Sequence, residues 1–324
     1  MKVNRVPVRE ALGHVLVHNQ LAADGRKVLP KGRRLTKPDV ETLASIGVAQ
    51  VYVALLDPDD VPEDAAAAQL GAALAGHGVE VSRVTAGRAD LVASTAGVCK
   101  VGVELLLELN NLPGLAVATL RTGEVVERGE RVATAKIVPF AVSQDTLGAA
   151  VALAAGGGPV VTVRAFVLAS ATLLTTGSET GRAQLADAFG PSLEDRLGRY
   201  EMRLTRGPHL PEEQEPIAKA VREAVSAGAQ MVLIGGETSI MDADDVTPGA
   251  IRAAGAEVVQ YGVPAEPGSL LLLAYHGQVP ILGLPGCAKS SRPNLIDQLL
   301  PRIATGERLT RSDLLALGHG GLLR

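Results

Sequence analysis

From residue 160 onward, short apolar runs alternate with stretches in which apolar residues recur every third or fourth position. The runs Gln230–Ile234, Ala256–Val263, Leu270–Tyr275 and Pro280–Leu284 read as strands, and Val160–Leu174 is a longer apolar, β-branched stretch ending in Thr-Thr-Gly. Leu193–Leu204, Pro216–Ala227, Val246–Ala254 and Leu295–Ala304 read as helices. Ile217, Val221 and Val225 set an apolar stripe along the second, and the third is expected to start on a Thr247 cap with Pro248 and to stop at Gly255. Strands alternating with helices predict an α/β sheet covered on both faces.

Before residue 160 the pattern is less regular. A strand is expected in Gly13–His18. A helix starts at Thr36-Lys37-Pro38-Asp39, runs to Ile46 and stops at Gly47, and Ala49–Ala54 is again a strand. Pro58–Glu63 reads as a turn-rich linker, Asp64–Ala75 and Gln144–Ala155 as helices, and Leu115–Leu120 and Arg131–Ala141 as strands of a β-containing unit. Gly156-Gly157-Gly158-Pro159 is the sharpest punctuation. The expected organisation is a small α+β region over 1–57, a mixed region over 58–158, an α/β domain over 159–306 and a tail over 307–324.

Composition narrows the function classes. At 324 residues the chain is long enough for two or three domains. Aromatics make up 2% and Trp is absent, which argues against stacking platforms for single-stranded nucleic acid. The net charge of -4 offers no whole-protein affinity for nucleic acid or membranes. Locally, 26–37 is rich in Lys and Arg, either as a solvated loop or as a surface that attracts phosphates. Cys99 and Cys287 are far apart, without the spacing of a disulfide framework or zinc site. His14, His18, His77, His209 and His319 show no ligand spacing, and His276 falls in a turn between two strands. No signal peptide is evident at the start, and Gly and Pro break the uncharged stretches, so a cytoplasmic location without a membrane span is expected.

Three segments with unusual chemistry each follow an apolar strand. They are Thr175-Thr176-Gly177-Ser178-Glu179; Gly235-Gly236-Glu237-Thr238-Ser239 with Asp242, Asp244 and Asp245; and Gly283-Leu284-Pro285-Gly286. In an open parallel sheet, ligands bind beyond the carboxyl ends of the strands. Glycines there let backbone N–H groups approach an anion, and hydroxyls from Thr176, Ser178, Thr238 and Ser239 can add donors. Carboxylates beside an anion imply a cation between them, and Mg²⁺ commonly bridges a carboxylate to phosphate. Asp242, Asp244 and Asp245 are the candidate metal ligands and catalytic acids. The same residues also fit plainer roles, the glycines as tight turns and the acids as caps of the following helix.

T-G-S-E at 176–179, I-G-G-E-T-S at 234–239 with D-A-D-D at 242–245, P-G at 267–268 and G-L-P-G at 283–286 occur in an order and spacing that resembles the molybdopterin-binding domain of molybdenum cofactor biosynthesis proteins of the MoeA and MogA type. The resemblance covers 161 to about 305. The chain as a whole is similar to the N-terminal part of bacterial proteins in which such a region precedes a nucleotidyltransferase domain, most of all in GLPGCAKS and LTRSDLLALGHGGLL. The resemblance implies a three-layer α/β/α fold and a pterin dithiolene ligand with its phosphate, with or without a nucleotide. It implies cofactor contacts from Thr176, Gly177, Ser178 and Glu179, from Gly235, Gly236, Thr238 and Ser239, and from Gly283, Leu284, Pro285 and Gly286, with Mg²⁺ on the three aspartates. Self-association is expected, as is a separate nucleotidyltransferase or molybdoenzyme as partner.

Departures from the family pattern are Glu266 in place of Lys before Pro-Gly, Cys287-Ala288 in place of Asn-Pro after G-L-P-G, and no N-terminal segment ending in Asp-Gly-Tyr-Ala. Lys289 or Arg292 could supply the cation missing at 266, and Cys287 is either a packed thiol or a thiolate toward the ligand. The leading expectation is that Asp242, Asp244 and Asp245 position Mg²⁺ for transfer or hydrolysis at a phosphoryl group. The departures speak against molybdate insertion by the full MoeA mechanism, and those at 266 and 287 favour the alternative of a non-catalytic cofactor carrier. D-D-V-T-P is also similar to the CinA type, which uses a related domain on nucleotides.

Overall fold

In a computed structural model that describes residues 1–323, the chain forms two compact units, one over Met1–Arg164 and one from Ala165 onward. The first unit begins with β1 (Lys2–Pro7), β2 (Val15–Leu16), β3 (Gln20–Leu21), β4 (Lys27–Leu29), α1 (Lys37–Ser45), β5 (Gln50–Leu55) and β6 (Asp60–Pro62). It continues with α2 (Glu63–Leu74), β7 (Val79–Thr85), β8 (Arg88–Ala93), β9 (Gly97–Val101), α3 (Val103–Asn110), β10 (Leu115–Thr119) and β11 (Val125–Val126). β12 (Arg131–Ile137), β13 (Ala141–Ser143), α4 (Gln144–Gly157) and β14 (Val161–Ala165) complete it. The larger sheets run β1-β5-β2, β10-β12-β8-β7 and β11-β9-β14.

Local chemistry sets several ends here. Thr36 and Asp39 close a capping box at the start of α1, and Gly47, at φ +78°, ends it in the left-handed conformation that Gly adopts without cost. The 58–63 segment is not a plain linker, because β6 pairs with β13. No local pattern announces that pairing, which joins segments far apart in sequence. Gly156 and Gly157 continue α4, and β14 then joins the sheet of β9.

The second unit comprises β15 (Ser170–Thr176), α5 (Arg182–Gly198), β16 (Arg203–Leu210), α6 (Gln214–Ser226), β17 (Val232–Gly236), α7 (Val246–Ala253) and β18 (Glu257–Tyr261). β19 (Leu272–His276), β20 (Val279–Leu284), α8 (Leu295–Ala304) and α9 (Arg311–Ala316) follow. Its sheet has the order β16-β15-β17-β20-β19-β18, parallel across the first four strands and antiparallel beyond. Strands buried on both faces read as continuous apolar runs. Accordingly Leu173, Leu233 and Leu282 pack with Phe189 and Leu193 of α5 and Leu299 of α8, while Leu174, Val232 and Ile281 pack with Ile217 and Val221 of α6 and Ile251 of α7. The result is a three-layer α/β/α domain, with α5 and α8 on one face and α6 and α7 on the other. Leu309 and Leu314 are buried in the first of these cores, so the segment after α8 is packed into the unit.

Two sequence expectations are corrected. The single apolar stretch 160–174 is two strands, β14 and β15, in different sheets. The helix expected over 193–204 instead starts at Arg182 and ends at Gly198, and β16 follows it. Gly190-Pro191 reads as a stop, yet the helix continues through it. A Pro inside a helix costs about 3 kcal/mol, whereas each buried large apolar side chain returns about 1.5–3 kcal/mol, and Leu185, Phe189, Leu193 and Leu197 are all buried along one stripe. Pro208 within β16 is tolerated because that strand is the sheet edge.

α5 and α8 are joined by Arg196, only 2% exposed, whose guanidinium donates to both Asp297 oxygens at 2.8 and 3.2 Å and to the Arg292 carbonyl at 3.0 Å. Asp297 also closes the capping box of α8. Asp297→Ala leaves a buried guanidinium without its counter-charge, so the unfolding free energy from urea titration is expected to fall by about 3–5 kcal/mol. A loss of only about 0–1 kcal/mol, typical of exposed pairs, would contradict this account.

Candidate functional site

The register of the parallel ladder aligns three strand ends. Thr176 of β15 lies opposite Gly236 of β17, and Gly235 of β17 opposite Leu284 of β20. The loops that follow therefore leave from one rim, and the structure brings Gly177, Gly236 and Gly286 together there. The chain leaves β15 for β16 on one side of the sheet order and leaves β17 toward β18 on the other. α5 and α7 accordingly cover opposite faces, so the ends of β15 and β17 flank a topological switch point. A cleft of about 390 Å³ lined by Ser170, Thr172, Thr205 and Ala224 lies toward the other end of β15.

At the first loop, Gly177 has φ +151°, and a Cβ there would stand 2.5 Å from Glu237 Oε2. The Ser178 N–H donates to that oxygen at 2.6 Å, and Ser178 Oγ accepts from the Gly181 N–H at 3.2 Å, capping the short turn that feeds α5. Glu179 is exposed and pairs with Arg182 at 2.9 Å. Thr176 is fully buried, and its Oγ1 finds no hydrogen-bond partner among the described residues. A Cβ on Gly236 would stand 3.3 Å from this hydroxyl oxygen.

His209, near the end of β16, braces the loop. Its Nε2 lies 3.0 Å from the Ser178 carbonyl and its Nδ1 2.9 Å from Thr175 Oγ1. Because a carbonyl only accepts, Nε2 carries the hydrogen, and in the neutral ring Nδ1 accepts from Thr175. Sequence spacing gave no reason to single out His209, because its partners come from a different strand. Glu212, similarly unforeseen, accepts from Thr238 Oγ1 at 2.5 Å and so occupies that hydroxyl.

At the second loop, Gly235 makes room for the Phe189 ring, 2.7 Å from where a Cβ would sit. The Glu237 N–H donates to the Thr176 carbonyl at 2.8 Å, tying the two loops together. Tyr261 Oη donates to the Ile240 carbonyl at 2.8 Å and anchors the middle of the loop. The acids that follow have local partners. Asp245, not Thr247, caps α7, accepting from the Val246 N–H at 2.8 Å and the Met241 N–H at 3.1 Å. The D-D-V-T-P run offers several possible caps, and Thr247 is instead buried inside the helix. Asp242 accepts from the Asp244 N–H at 2.8 Å, and the exposed Asp244 pairs with Arg252 at 3.3 Å. Among the described residues no group of three or more His, Cys, Asp or Glu is arranged to hold a metal ion.

At the third loop, Gly283 and Leu284 are strand residues rather than loop residues. Gly283 admits Ile240, whose Cδ1 lies 2.6 Å from a hypothetical Cβ, and Leu284 is in the core. Gly286 is exposed beside Ser239 Oγ, 3.7 Å from where its Cβ would be. Lys289 lies over the Phe189 ring at 4.9 Å from its centroid. Burial raises the Cys287 pKa and so disfavours its thiolate. Glu266 accepts from Ser269 Oγ at 3.0 Å, while its backbone binds Gly321 and Leu323.

The Ser178 backbone N–H holds Glu237 below the ordinary carboxylate range, and nearby His209 and Lys289 add to the effect. Because the pKa is lowered, this link is in place at neutral pH and is lost as pH falls through the Glu237 titration. A carbon-13 NMR titration should place the Glu237 midpoint below that of an exposed glutamate. In Gly177→Ala, whose methyl displaces the carboxylate, the midpoint should move back up; an unchanged midpoint there would contradict the contact.

Among known families, residues 172–305 match the model described as probable molybdopterin binding domain, and residues 5–55 match a family described only as a domain of unknown function. A search of curated proteins found no match. Solved structures similar to the chain include a molybdenum cofactor biosynthesis protein from Pyrococcus furiosus, at 13% identity and TM-score 0.25, covering 97% of this chain and 65% of that one. The chain thus spans just under two thirds of that protein. The molybdopterin biosynthesis MoeA protein from Pyrococcus horikosii, at 13% identity and TM-score 0.33, covers 94% of this chain and 75% of its own. The molybdopterin biosynthesis enzyme MoaB from Thermus thermophilus, at 19% identity and TM-score 0.32, covers 43% of this chain and 98% of its own. The segment 172–305, which holds all three loops of the rim, is the part of the chain that matches the probable molybdopterin binding domain family.

Proposed function

We propose that this protein binds molybdopterin, free or nucleotidylated, at the rim formed by the ends of β15, β17 and β20, and acts in molybdenum cofactor maturation. The observation that carries the reading is the convergence of bare glycines, a free-standing buried hydroxyl and a helix start on one rim, within the segment that matches the molybdopterin-binding family. The Ser178 N–H and the Ser178 and Thr180 hydroxyls would hold the phosphate, with Thr176 Oγ1 as a further donor. Lys289 supplies positive charge close by, in the role that Glu266 does not fill. Glu179, Ser239, Pro285 and Gly286 would border the bound ligand at the same rim. The bound pterin supplies the dithiolene that ligates the metal; the chain's own task is to hold and orient its phosphate end.

Mg²⁺ would enter with the ligand phosphate and be met by exposed carboxylates of the 242–245 segment, as this ion commonly keeps several waters and one or two protein ligands. Asp244→Asn with Asp245→Asn removes two charges while Asn retains capping ability at 245. The double variant should weaken Mg²⁺-dependent binding or turnover about 10-fold or more, the scale on which outer-shell partners influence a metal site. Unchanged Mg²⁺ dependence would reject the metal role.

A second reading, a carrier that passes the cofactor to a separate nucleotidyltransferase or a molybdoenzyme, is favoured by the local partners of all three aspartates. Incubation with adenylylated molybdopterin, Mg²⁺ and molybdate separates the two, since AMP release marks a transferase and intact nucleotide a carrier. Substituting nicotinamide or ADP-ribose nucleotides tests a CinA-like hydrolase. Mass spectrometry of ligand copurified from a molybdopterin-producing host should find the pterin; its absence at saturating cofactor supply would remove the proposal.

A further inference from the structure

The rim already contains an anion of its own. Glu237 Oε2 sits 2.6 Å from the Ser178 N–H, above two glycines that leave it space. A Cβ on Gly177 would come within 2.5 Å of Oε2, and one on Gly181 within 3.1 Å of Oε1. The N–H involved belongs to Ser178, the cap of the turn feeding α5, a 17-residue helix whose positive end favours negative charge. Beside this N–H, Thr176 Oγ1 is buried and, among the described residues, without a hydrogen-bond partner. Buried hydroxyls are normally satisfied, so an orphan one marks a place for a ligand atom. A carboxylate has two oxygens and leaves this hydroxyl unmet. A phosphate offers more oxygens on the same charge centre and can address both donors.

We infer that Glu237 is a resident competitor whose carboxylate occupies the anion position at Ser178 until a ligand phosphate displaces it, so that Glu237 sets how tightly the rim takes phosphate. This rests on reading the rim as the phosphate end of the proposed molybdopterin site. The exchange requires little rearrangement. The Glu237 backbone is fixed by its N–H bond to the Thr176 carbonyl at 2.8 Å, while its side chain is at the surface and free to swing outward. Both anions cannot remain, because each would repel the other over the same donor.

Inorganic phosphate titrated into nitrogen-15-labelled wild type, Glu237→Gln and Glu237→Ala, followed at the Ser178 amide, tests this directly. If the carboxylate covers the turn for about nine-tenths of the time, its removal tightens phosphate binding about 10-fold, because apparent affinity scales with the open fraction. Saturating phosphate should also return the wild-type Glu237 titration toward that of an exposed glutamate. Equal or weaker phosphate affinity in both variants, with spectra otherwise overlaying the wild type, overturns the inference. Molybdopterin binding to the wild type, measured in parallel, judges the wider reading separately. If the wild type binds the pterin but the variants gain nothing for phosphate, only the competitor falls. If the variants gain phosphate affinity but no protein binds the pterin, the competitor stands and the ligand assignment falls.

Discussion

A parallel ladder imposes a direction, since every strand in it must release its chain at the same rim. β15, β17 and β20 are locked in register by pairs such as Thr176 with Gly236 and Gly235 with Leu284. That constraint places three loops with nothing else in common within reach of one another. It also depends on both faces of the sheet being covered, because an exposed parallel sheet lacks the burial that holds it together. Successive residues along each strand face α5 and α8 or α6 and α7 in turn, as Leu173 and Leu174 do, and the Arg196–Asp297 pair ties the first two helices together.

Within this frame the glycines have different physical tasks. Gly283 and Gly235 are packing positions, giving way to Ile240 and Phe189. Gly177 has a backbone conformation and a close neighbour that together exclude a side chain. Only the last kind brings backbone N–H groups to where an anion can lie. The electrostatics of the rim follow from the same geometry, with a helix start and Lys289 on the positive side and Glu237 as the resident negative charge. The aspartates farther along are tied up in capping, a local turn and an ion pair.

Much of the architecture is legible in the chain because it rests on local chemistry. The Thr36–Asp39 box and Gly47 delimit α1, and α8 spans Leu295–Ala304 as its apolar spacing indicates. The three loops stand out because small and polar residues follow apolar strands abruptly. What local chemistry does not encode is less visible. β16 is an edge strand with polar residues on both sides, so it lacks the alternation that marks a half-buried strand, and Gly190-Pro191 hides the true extent of α5. The link of Glu237 to Ser178 joins residues 59 positions apart, and His209 meets Ser178 across 31. Such contacts exist only once the sheet has formed, so nothing in the sequence marks the acid at 237 as the partner of Ser178.

The central claim is that a phosphate-bearing pterin is held where β15, β17 and β20 end. Backbone amide shift mapping of the intact protein with molybdopterin measures this most directly. The account predicts that the largest shifts fall on residues 177–181, 236–239 and 286–289. Shifts confined to the cleft lined by Ser170, Thr205 and Ala224, or to residues before 165, would contradict it.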